Sequence, residues 1–328
     1  MVLQEPEVIM ALRTTPVILG VDVSRDWLDV CLDGAEPQRI ANRSDDIDRL
    51  LRQHPHAAIG VEATGDYHEL LCARAQALGL RVYLISGYAL RHYAEALGQR
   101  MRHDAIDARL LARYLSREID RLRPWQPSPP HIKRLRQLLK RRHLFVQQRE
   151  QLRQSLASVA ELADCRDRLL DEFRRALHDL DRRIRQAAHE IAGRQALERL
   201  VSIPGVGPLN AAALLTARHS GEFPNRDAFI AYLGLDVRTK DSGKHRGRRK
   251  LSKRGEPEYR RLLHCAAMSA CQCSAPFAAR LKQLRERGLS TTAAYVVIAR
   301  QIARLAYTLM QKRVDFDPDR LNWGGAGP

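Results

Sequence analysis

The first third of the chain alternates between short apolar runs and amphipathic segments. The runs have the length and β-branched content of strands, and the segments between them have helical spacing. Three strands in succession, followed by alternating helices and strands, predict an α/β domain with a mixed sheet. The predicted strands cover residues 17–24, 27–32, 38–41, 57–65 and 81–86, and the predicted helices cover 45–52, 67–78, 89–97 and 104–117.

Asp22 stands inside the first apolar run, Ile18-Leu-Gly-Val-Asp-Val-Ser24, with apolar residues on both sides of it. Such a run is typical of a strand that is buried on both faces of a sheet. Burying a lone carboxylate costs several kcal/mol. Asp22 therefore indicates a cation, a hydrogen-bond network or a chemical role, whereas Asp26 and Asp29 are predicted to be solvated turn and edge residues.

Three further acids lie where the predicted topology could bring them to Asp22. Glu62 ends another apolar run, and Asp104 and Asp107 are three residues apart, on one face of a predicted helix. Each has a simpler interpretation that stays open. Glu62 could be a solvent-facing acid at a strand end, and Asp104 and Asp107 could be an N-cap and a first-turn residue favoured by the helix dipole.

Four acids at one edge of a sheet cannot all stay ionised without a counter-charge. Magnesium suits them because it prefers hard oxygen ligands and commonly binds phosphates. Two such ions, roughly 3.5–4 Å apart, would stabilise the attacking and leaving oxygens of a phosphodiester. The acids therefore predict a Mg²⁺ site for phosphodiester chemistry.

The middle of the chain is predicted to be helical. A stiff, proline-rich linker at 124–130 precedes about 60 residues without proline. Leu138, Phe145, Leu152 and Val159 are spaced by seven residues, and Leu135, Arg142, Arg149 and Leu156 occupy the partner positions of the same repeat. This pattern indicates a coiled-coil seam. After a break near 163–166, a second helix would run antiparallel to the first. The pair would dimerise or present a basic arm; alternatively, it packs on its own domain.

Two segments of the C-terminal part are candidates for phosphate binding. Ile203-Pro-Gly-Val-Gly-Pro208 resembles the hairpin of a helix-hairpin-helix motif, in which Gly205 and Gly207 would let backbone N–H groups approach a phosphate. A plain turn between packed helices is the alternative. The polar segment 237–255 cannot form a core and would repel itself without an anion, unless it is a disordered insertion. Its candidate contacts are Lys240, Lys244, Arg246, Arg248, Arg249, Lys250, Lys253 and Arg254.

Ser242 lies within this cationic segment, and Ser252 lies near its end. A serine hydroxyl is a poor nucleophile until cations and a base activate it. Spacing alone ranks Ser242 only slightly above Ser252, so both remain candidate nucleophiles.

Composition points to a polyanionic partner. The 328 residues include 55 Lys and Arg against 38 Asp and Glu, a net charge of +17. Such an excess favours nucleic acid as the partner. A membrane surface is a weaker candidate, because the sequence shows neither a long apolar span nor a lipidation signal. Six cysteines without CxxC pairs fit a reducing cytoplasm.

The motifs, in their order, resemble a known family. Gly-Val-Asp-Val-Ser, Val-Glu-Ala-Thr-Gly and Arg-His-Asp-Ala-Ile-Asp-Ala are followed by Ile-Pro-Gly-Val-Gly and Ser-Gly-Lys…Leu-Ser-Lys-Arg-Gly. Over residues 17–312, this set is similar to the DEDD transposases of the insertion sequence 110 family, which include RNA-guided bridge recombinases. The pilin-gene-inverting DNA invertases are similar too.

The resemblance implies an architecture of α/β plus α. An RNase H-like (RuvC-like) nuclease domain would occupy 1–123, the linker 124–130 and a coiled coil 131–195. A mainly helical transposase domain with the catalytic serine would occupy 196–328. The family resemblance also implies that Asp22, Glu62, Asp104 and Asp107 bind Mg²⁺.

The resemblance further implies a serine nucleophile, mapped to Ser242, that links covalently to DNA. The family commonly has two glycines after this serine; here one glycine precedes Lys244, so the mapping is less secure and Ser252 remains an alternative. A homodimer or homotetramer would exchange strands between donor and target DNA, guided by a non-coding bridge RNA.

Three other functions remain open. A protein-guided invertase, or a RuvC-like Holliday junction resolvase that uses water as its nucleophile, would need the same acids. A non-catalytic nucleic-acid scaffold would explain the charge but leaves Asp22 without a role.

Overall fold

A computed structural model describes residues 16–62, 66–98, 104–238 and 250–321, with the side chains of 104–106, 238, 250 and 320 excepted. The chain forms two compact units, Met1–Pro127 and Ser128–Pro328. The boundary falls within the predicted linker, and the two long helices of the predicted coiled coil belong to the same unit as the C-terminal helices.

The first unit contains a five-stranded mixed sheet in the order β3-β2-β1-β4-β5. The central strand, β1, pairs antiparallel with β2 and parallel with β4. The predicted mixed sheet is therefore confirmed, with strand ends within three residues of the expected ones. The strands are β1 Ile18–Val23, β2 Trp27–Leu32, β3 Gln38–Ala41, β4 Ala58–Glu62 and β5 Arg81–Ile85.

Helices cover both faces of this sheet. Leu19 and Val21 pack in one core with residues of α1 and α2, and Ile18 packs in a second core with residues of α3 and α4. Because side chains alternate along a strand, β1 is buried on both faces, as its apolar run predicts. The helices are α1 Ser44–Gln53, α2 Glu69–Ala77, α3 Gly87–Ala96 and α4 Asp104–Glu118.

The second unit begins with two long antiparallel helices, α5 Pro130–Ser155 and α6 Ala163–Val201. Arg142 donates to Asp181, and the rings of Phe145 and Phe173 lie 6.0 Å apart, so the pairing runs in opposite directions. The chain reverses between Ser155 and Ala163, which is earlier than the expected break.

The two ends of this helical pair have different environments. Leu135 and Ile184 lie in the core that the C-terminal helices form, which matches the alternative of a pair packed on its own domain. Farther along, Leu144, Val159 and Leu169 are exposed. Val159 was expected in a coiled-coil seam, and it is not buried within this chain.

The remaining helices enclose a single apolar core. They are α7 Pro208–Arg218, α8 Arg226–Tyr232, α9 Pro257–Cys273, α10 Ala275–Glu286 and α11 Thr291–Lys312. Two short strands, β6 Val237–Arg238 and β7 Lys250–Leu251, pair antiparallel and bracket the cationic segment. None of the helices in the described part of the chain is both long and apolar enough to cross a bilayer.

Candidate active site

Asp22 and Glu62 occupy adjacent strand ends in the first unit. In the parallel pairing of β1 and β4, Val21 stands opposite Val61. The next residue of each strand is a carboxylate, so Asp22 and Glu62 lie side by side, on the same face of the sheet. Both side chains are half-buried. Asp22 is thus less buried than its apolar neighbours predict, which leaves it accessible to a substrate.

Helix α4 packs against this same face. A Cβ built on Gly20 would overlap the carbonyl oxygen of Ala108 and the backbone nitrogen of Ala112, so the helix touches the strand. Arg113 and Ser116, farther along α4, line a cavity with Ile18, which begins β1. The helix therefore runs against the direction of β1, and its N-terminal turn lies towards Asp22.

That N-terminal turn carries the other two predicted acids. Asp104 is the first residue of α4, and its side chain lies outside the described residues. Asp107 directly precedes the Ala108 that contacts Gly20, and it is half-buried. The backbone thus brings the turn of Asp104 and Asp107 towards the strand ends that carry Asp22 and Glu62.

A further carboxylate adjoins this group, contrary to expectation. Asp29 is the antiparallel partner of Asp22, and it is 7% exposed rather than a solvated edge residue. Arg39 of β3 neutralises it, since its Nε donates to Asp29 Oδ1 at 3.0 Å and its second nitrogen donates to Oδ2 at 2.8 Å. Alternation in Leu28-Asp29-Val30 separates Asp29 from the face of Leu28, but only the pairing with β1 places it beside Asp22.

Glu62 lies against the start of α3. A Cβ on Gly87 would overlap Glu62 Oε1, so a larger residue there would require this carboxylate to shift. Ser86 caps the helix, accepting from the backbone N–H of Ala89 at 3.2 Å. The N-terminus of α3 thereby places a partial positive charge beside Glu62.

The acids suit a divalent cation by their chemistry. Carboxylate oxygens in adjacent positions are the ligands that Mg²⁺ prefers. Within the described residues, no group of three or more His, Cys, Asp or Glu is arranged to hold a metal ion, although the side chain of Asp104 falls outside that set. Asp22, Glu62 and Asp107 thus have the ligand chemistry that Mg²⁺ prefers, but the described side chains are not gathered into a metal site.

The candidates of the second unit are only partly described. Ser242 lies outside the described residues, together with Lys240, Lys244, Arg246, Arg248 and Arg249, and so does the side chain of Lys250. Lys253 and Arg254 are exposed, as phosphate contacts require.

Ser252 is 7% exposed and donates its hydroxyl hydrogen to the carboxylate of Asp236. The backbone N–H of Arg254 donates to Ser252 Oγ at 3.3 Å. These contacts join the two ends of the cationic segment, and they give Ser252 a structural role that sequence spacing did not reveal.

The two glycines of the predicted hairpin differ in their surroundings. Gly205 has a φ of +80°, and a Cβ there would overlap the carbonyl oxygen of Ala266 in α9. Packing and backbone conformation therefore account for Gly205, which the sequence assigned to phosphate contact. Gly207 precedes α7, and a Cβ there would meet no atom within 4 Å, so its role in phosphate contact stays a prediction.

Two family models match separate stretches of the chain. A DEDD transposase model of the IS110 type matches residues 19–163, and a model described as the transposase IS116/IS110/IS902 family matches residues 197–282. The first contains all four predicted acids, and the second contains both candidate serines. The chain belongs to the IS110 family of transposases.

Curated relatives agree with this assignment. This chain is 28% identical to the pilin gene-inverting protein of Moraxella bovis over 265 residues. The aligned region covers 78% of this chain and 81% of that protein. The chain is 26% identical over 306 residues to a probable family 20 transposase of Pseudomonas aeruginosa, covering 82% and 88%. The expected relation to IS110 transposases and pilin invertases is thus confirmed.

Proposed function

We propose that this transposase cuts and rejoins DNA through a covalent link to Ser242, with Asp22, Glu62, Asp104 and Asp107 holding Mg²⁺. The observation that supports the carboxylate site is the side-by-side placement of Asp22 and Glu62, with the first turn of α4 directed towards them. Bound magnesium would offset the negative charge that develops on the phosphate.

The serine step transfers one phosphoryl group between oxygens. Ser242 gives up its hydroxyl proton to water, its Oγ bonds to phosphorus, and one bridging P–O bond breaks. The leaving oxygen takes up a proton from water and becomes a free hydroxyl on the DNA end. A hydroxyl from the exchanged strand then attacks the phosphoserine, which frees Ser242 and joins the strands. No net hydrolysis occurs, so the phosphodiester bond is conserved.

Ser242 is preferred over Ser252 because a nucleophile must reach a phosphorus atom. Ser252 is buried and its hydroxyl is engaged by Asp236. Lys253 and Arg254 support the proposal that the flanking cations hold the DNA backbone.

A denaturing gel of protein mixed with labelled element-end DNA tests the serine. Wild type and Ser252→Thr should form a covalent protein–DNA adduct, and Ser242→Ala should form none. An adduct that persists in Ser242→Ala would reject this serine. Strand cleavage without any adduct would favour a resolvase that uses water as its nucleophile.

The family resemblance also supports a non-coding guide RNA and a homodimer or homotetramer. The exposed Leu144, Val159 and Leu169 of the helical pair are compatible with self-association. Sequencing nucleic acid that copurifies from cells carrying the native flanking DNA tests the RNA. A discrete structured RNA would support guidance, whereas specific duplex DNA alone would favour protein-guided inversion, the activity for which the Moraxella bovis relative is named.

A further inference from the structure

A cavity of about 600 Å³ lies between α6, α7 and α11 in the second unit. No candidate residue of the carboxylate or serine sites lines it. Gly193 breaks α6 at its edge, with φ 74° and ψ 165°, and the cavity is lined by residues on both sides of this break, Ala192 and Gln195. The bend at Gly193 therefore divides the part of α6 that lines the cavity into two helical segments.

Three arginines, Arg199, Arg218 and Arg313, are among the residues that line this cavity. Arg199 lies 3.6 Å from Asp315, a residue whose side chain is 78% exposed, so water weakens that pairing. None of the described lining residues is acidic. The cavity therefore carries a local excess of positive charge.

Arg218 is held in place by two contacts. One of its terminal nitrogens donates to Gln311 Oε1 at 3.2 Å, and the guanidinium lies over the ring of Tyr307, 5.8 Å from the ring centre. Neither contact cancels its charge. A fixed, uncompensated guanidinium is suited to binding an anion, because little side-chain freedom is lost when the anion binds.

The floor of the cavity is apolar, in contrast to its cationic rim. It is formed by Leu200, Leu215, Leu309 and Met310. His219 also lines the cavity and is exposed to solvent. Its imidazole nitrogens can hydrogen-bond to the edge of a heterocyclic base.

We propose that this cavity binds an unpaired nucleotide of a nucleic-acid strand. The base would lie on the leucine and methionine floor, and the adjoining phosphates would contact Arg199, Arg218 and Arg313. Inorganic phosphate would leave the apolar floor unused, and a small apolar ligand would leave three guanidiniums without anions. A base within a continuous duplex cannot enter, because pairing and stacking already occupy its edge and faces.

This inference goes beyond the proposed strand-exchange chemistry, since it requires neither the carboxylates nor Ser242. Its test compares three labelled DNA hairpins by fluorescence anisotropy: fully paired, with one extrahelical nucleotide, and with an abasic residue at that position. We expect the extrahelical nucleotide to raise the affinity of the wild-type protein by about tenfold over the paired hairpin. The abasic hairpin should lose most of this preference, and the same set made of RNA shows which strand type is preferred.

Two variants test the cavity itself. Arg199→Gln with Arg313→Gln should bring the preference for the extrahelical nucleotide close to one. The matched control, Arg174→Gln with Arg175→Gln, removes the same charge from exposed positions of α6 and should leave the preference unchanged. Ala196→Phe should abolish the preference without removing any charge, because it fills the cavity. Melting curves check that each variant is folded.

Equal wild-type affinity for the three hairpins would overturn the proposal, and so would an equal loss of preference in the cavity variant and its control. An abasic hairpin that binds as tightly as the extrahelical one would show a phosphate site without base recognition, which also rejects it. Glu62→Gln should keep the preference while losing strand cleavage. Failure of the carboxylate proposal and failure of the cavity proposal are therefore separately visible.

Discussion

Gly20 of β1 lies directly against the backbone of Ala108 in α4, so close that a methyl group has no room between them. This contact fixes the depth at which the helix rests on the sheet. Asp107 is the residue before Ala108, and Asp22 is two residues after Gly20 on the same face. The position of one carboxylate relative to the other therefore depends on a glycine that has no chemistry of its own.

Gly20→Ala should separate α4 from the sheet and weaken both stability and catalysis. We expect a loss of about 1–3 kcal/mol in the free energy of unfolding, as for other overpacked cores. Urea denaturation measures it, and DNA cleavage should fall further than stability alone explains.

Gly60→Ala is the matched control for that change. A Cβ at Gly60 would lie 3.2 Å from the side chain of Ile85 and 3.3 Å from that of Leu115, and side chains can shift where backbone cannot. It should therefore cost less than Gly20→Ala. Equal losses in the two variants would show that the backbone contact has no special importance.

Arg39 should matter because it neutralises a carboxylate next to Asp22. Like charges directly opposite one another in a sheet are destabilising, and Arg39 offsets the charge of Asp29. We expect Arg39→Ala to lower the free energy of unfolding by about 1–2 kcal/mol, because the guanidinium is half-exposed and partly screened by water.

Adding Asp29→Asn to Arg39→Ala should restore much of this loss, since the uncompensated charge is then gone. The double-mutant cycle is measured by urea denaturation. If the double variant is as unstable as the sum of the single ones, charge compensation is not the reason that the pair is present.

Acid should weaken the first unit through Asp48. Hydrogen bonds from Arg74 hold the pKa of this carboxyl below its usual value. Because the pKa of Asp48 is lower in the folded state, its contribution to the free energy of unfolding is fully present above the pKa of the unfolded state, near 3.9. This contribution is lost as the pH falls through the pKa of the folded state.

Urea midpoints measured between pH 6 and pH 3 check this expectation. The wild-type protein should lose stability more steeply towards pH 3 than Asp48→Asn does. Asp26→Asn, at an exposed position, serves as the control and should follow the wild-type curve. Parallel curves for Asp48→Asn and wild type would contradict the assignment.

Local patterns predicted most elements of the first unit. An apolar run such as 17–24 specifies a buried strand through the period of its side chains, and that depends on few distant contacts. Asp29 was misplaced because its burial depends on pairing with both Asp22 and Arg39, which no single segment shows. The relation of Gly20 to Ala108 was also invisible, since it joins residues about 90 positions apart.

In the second unit, too, contacts between distant segments could not be predicted from local sequence patterns. Heptad spacing predicted the helices α5 and α6, but it could not tell a coiled-coil seam from packing on the C-terminal core. Leu135 is buried in that core, whereas Val159, of the same predicted seam, is exposed. Gly205 carried a motif that suggested phosphate binding, and its close approach to Ala266 became apparent only with α9 in place.

Asp22→Asn should abolish DNA cleavage without destabilising the protein. Asp22 lies beside Glu62, and replacing its carboxylate with a neutral amide lowers the repulsion between these two neighbouring acids. We expect the melting temperature without metal to stay the same or to rise. Active-site groups often have this property, because their arrangement serves the reaction at the expense of stability.

The effect of added Mg²⁺ on the melting temperature is a second measurement on Asp22→Asn, and it does not depend on activity. A ligand that binds only the folded protein raises its stability as the ligand concentration exceeds its dissociation constant. Added Mg²⁺ should therefore raise the melting temperature of the wild-type protein and of Asp26→Asn, but much less that of Asp22→Asn. An equal rise in all three would place the stabilising ion elsewhere, and an Asp22→Asn protein that still cleaves DNA would remove Asp22 from the catalytic site.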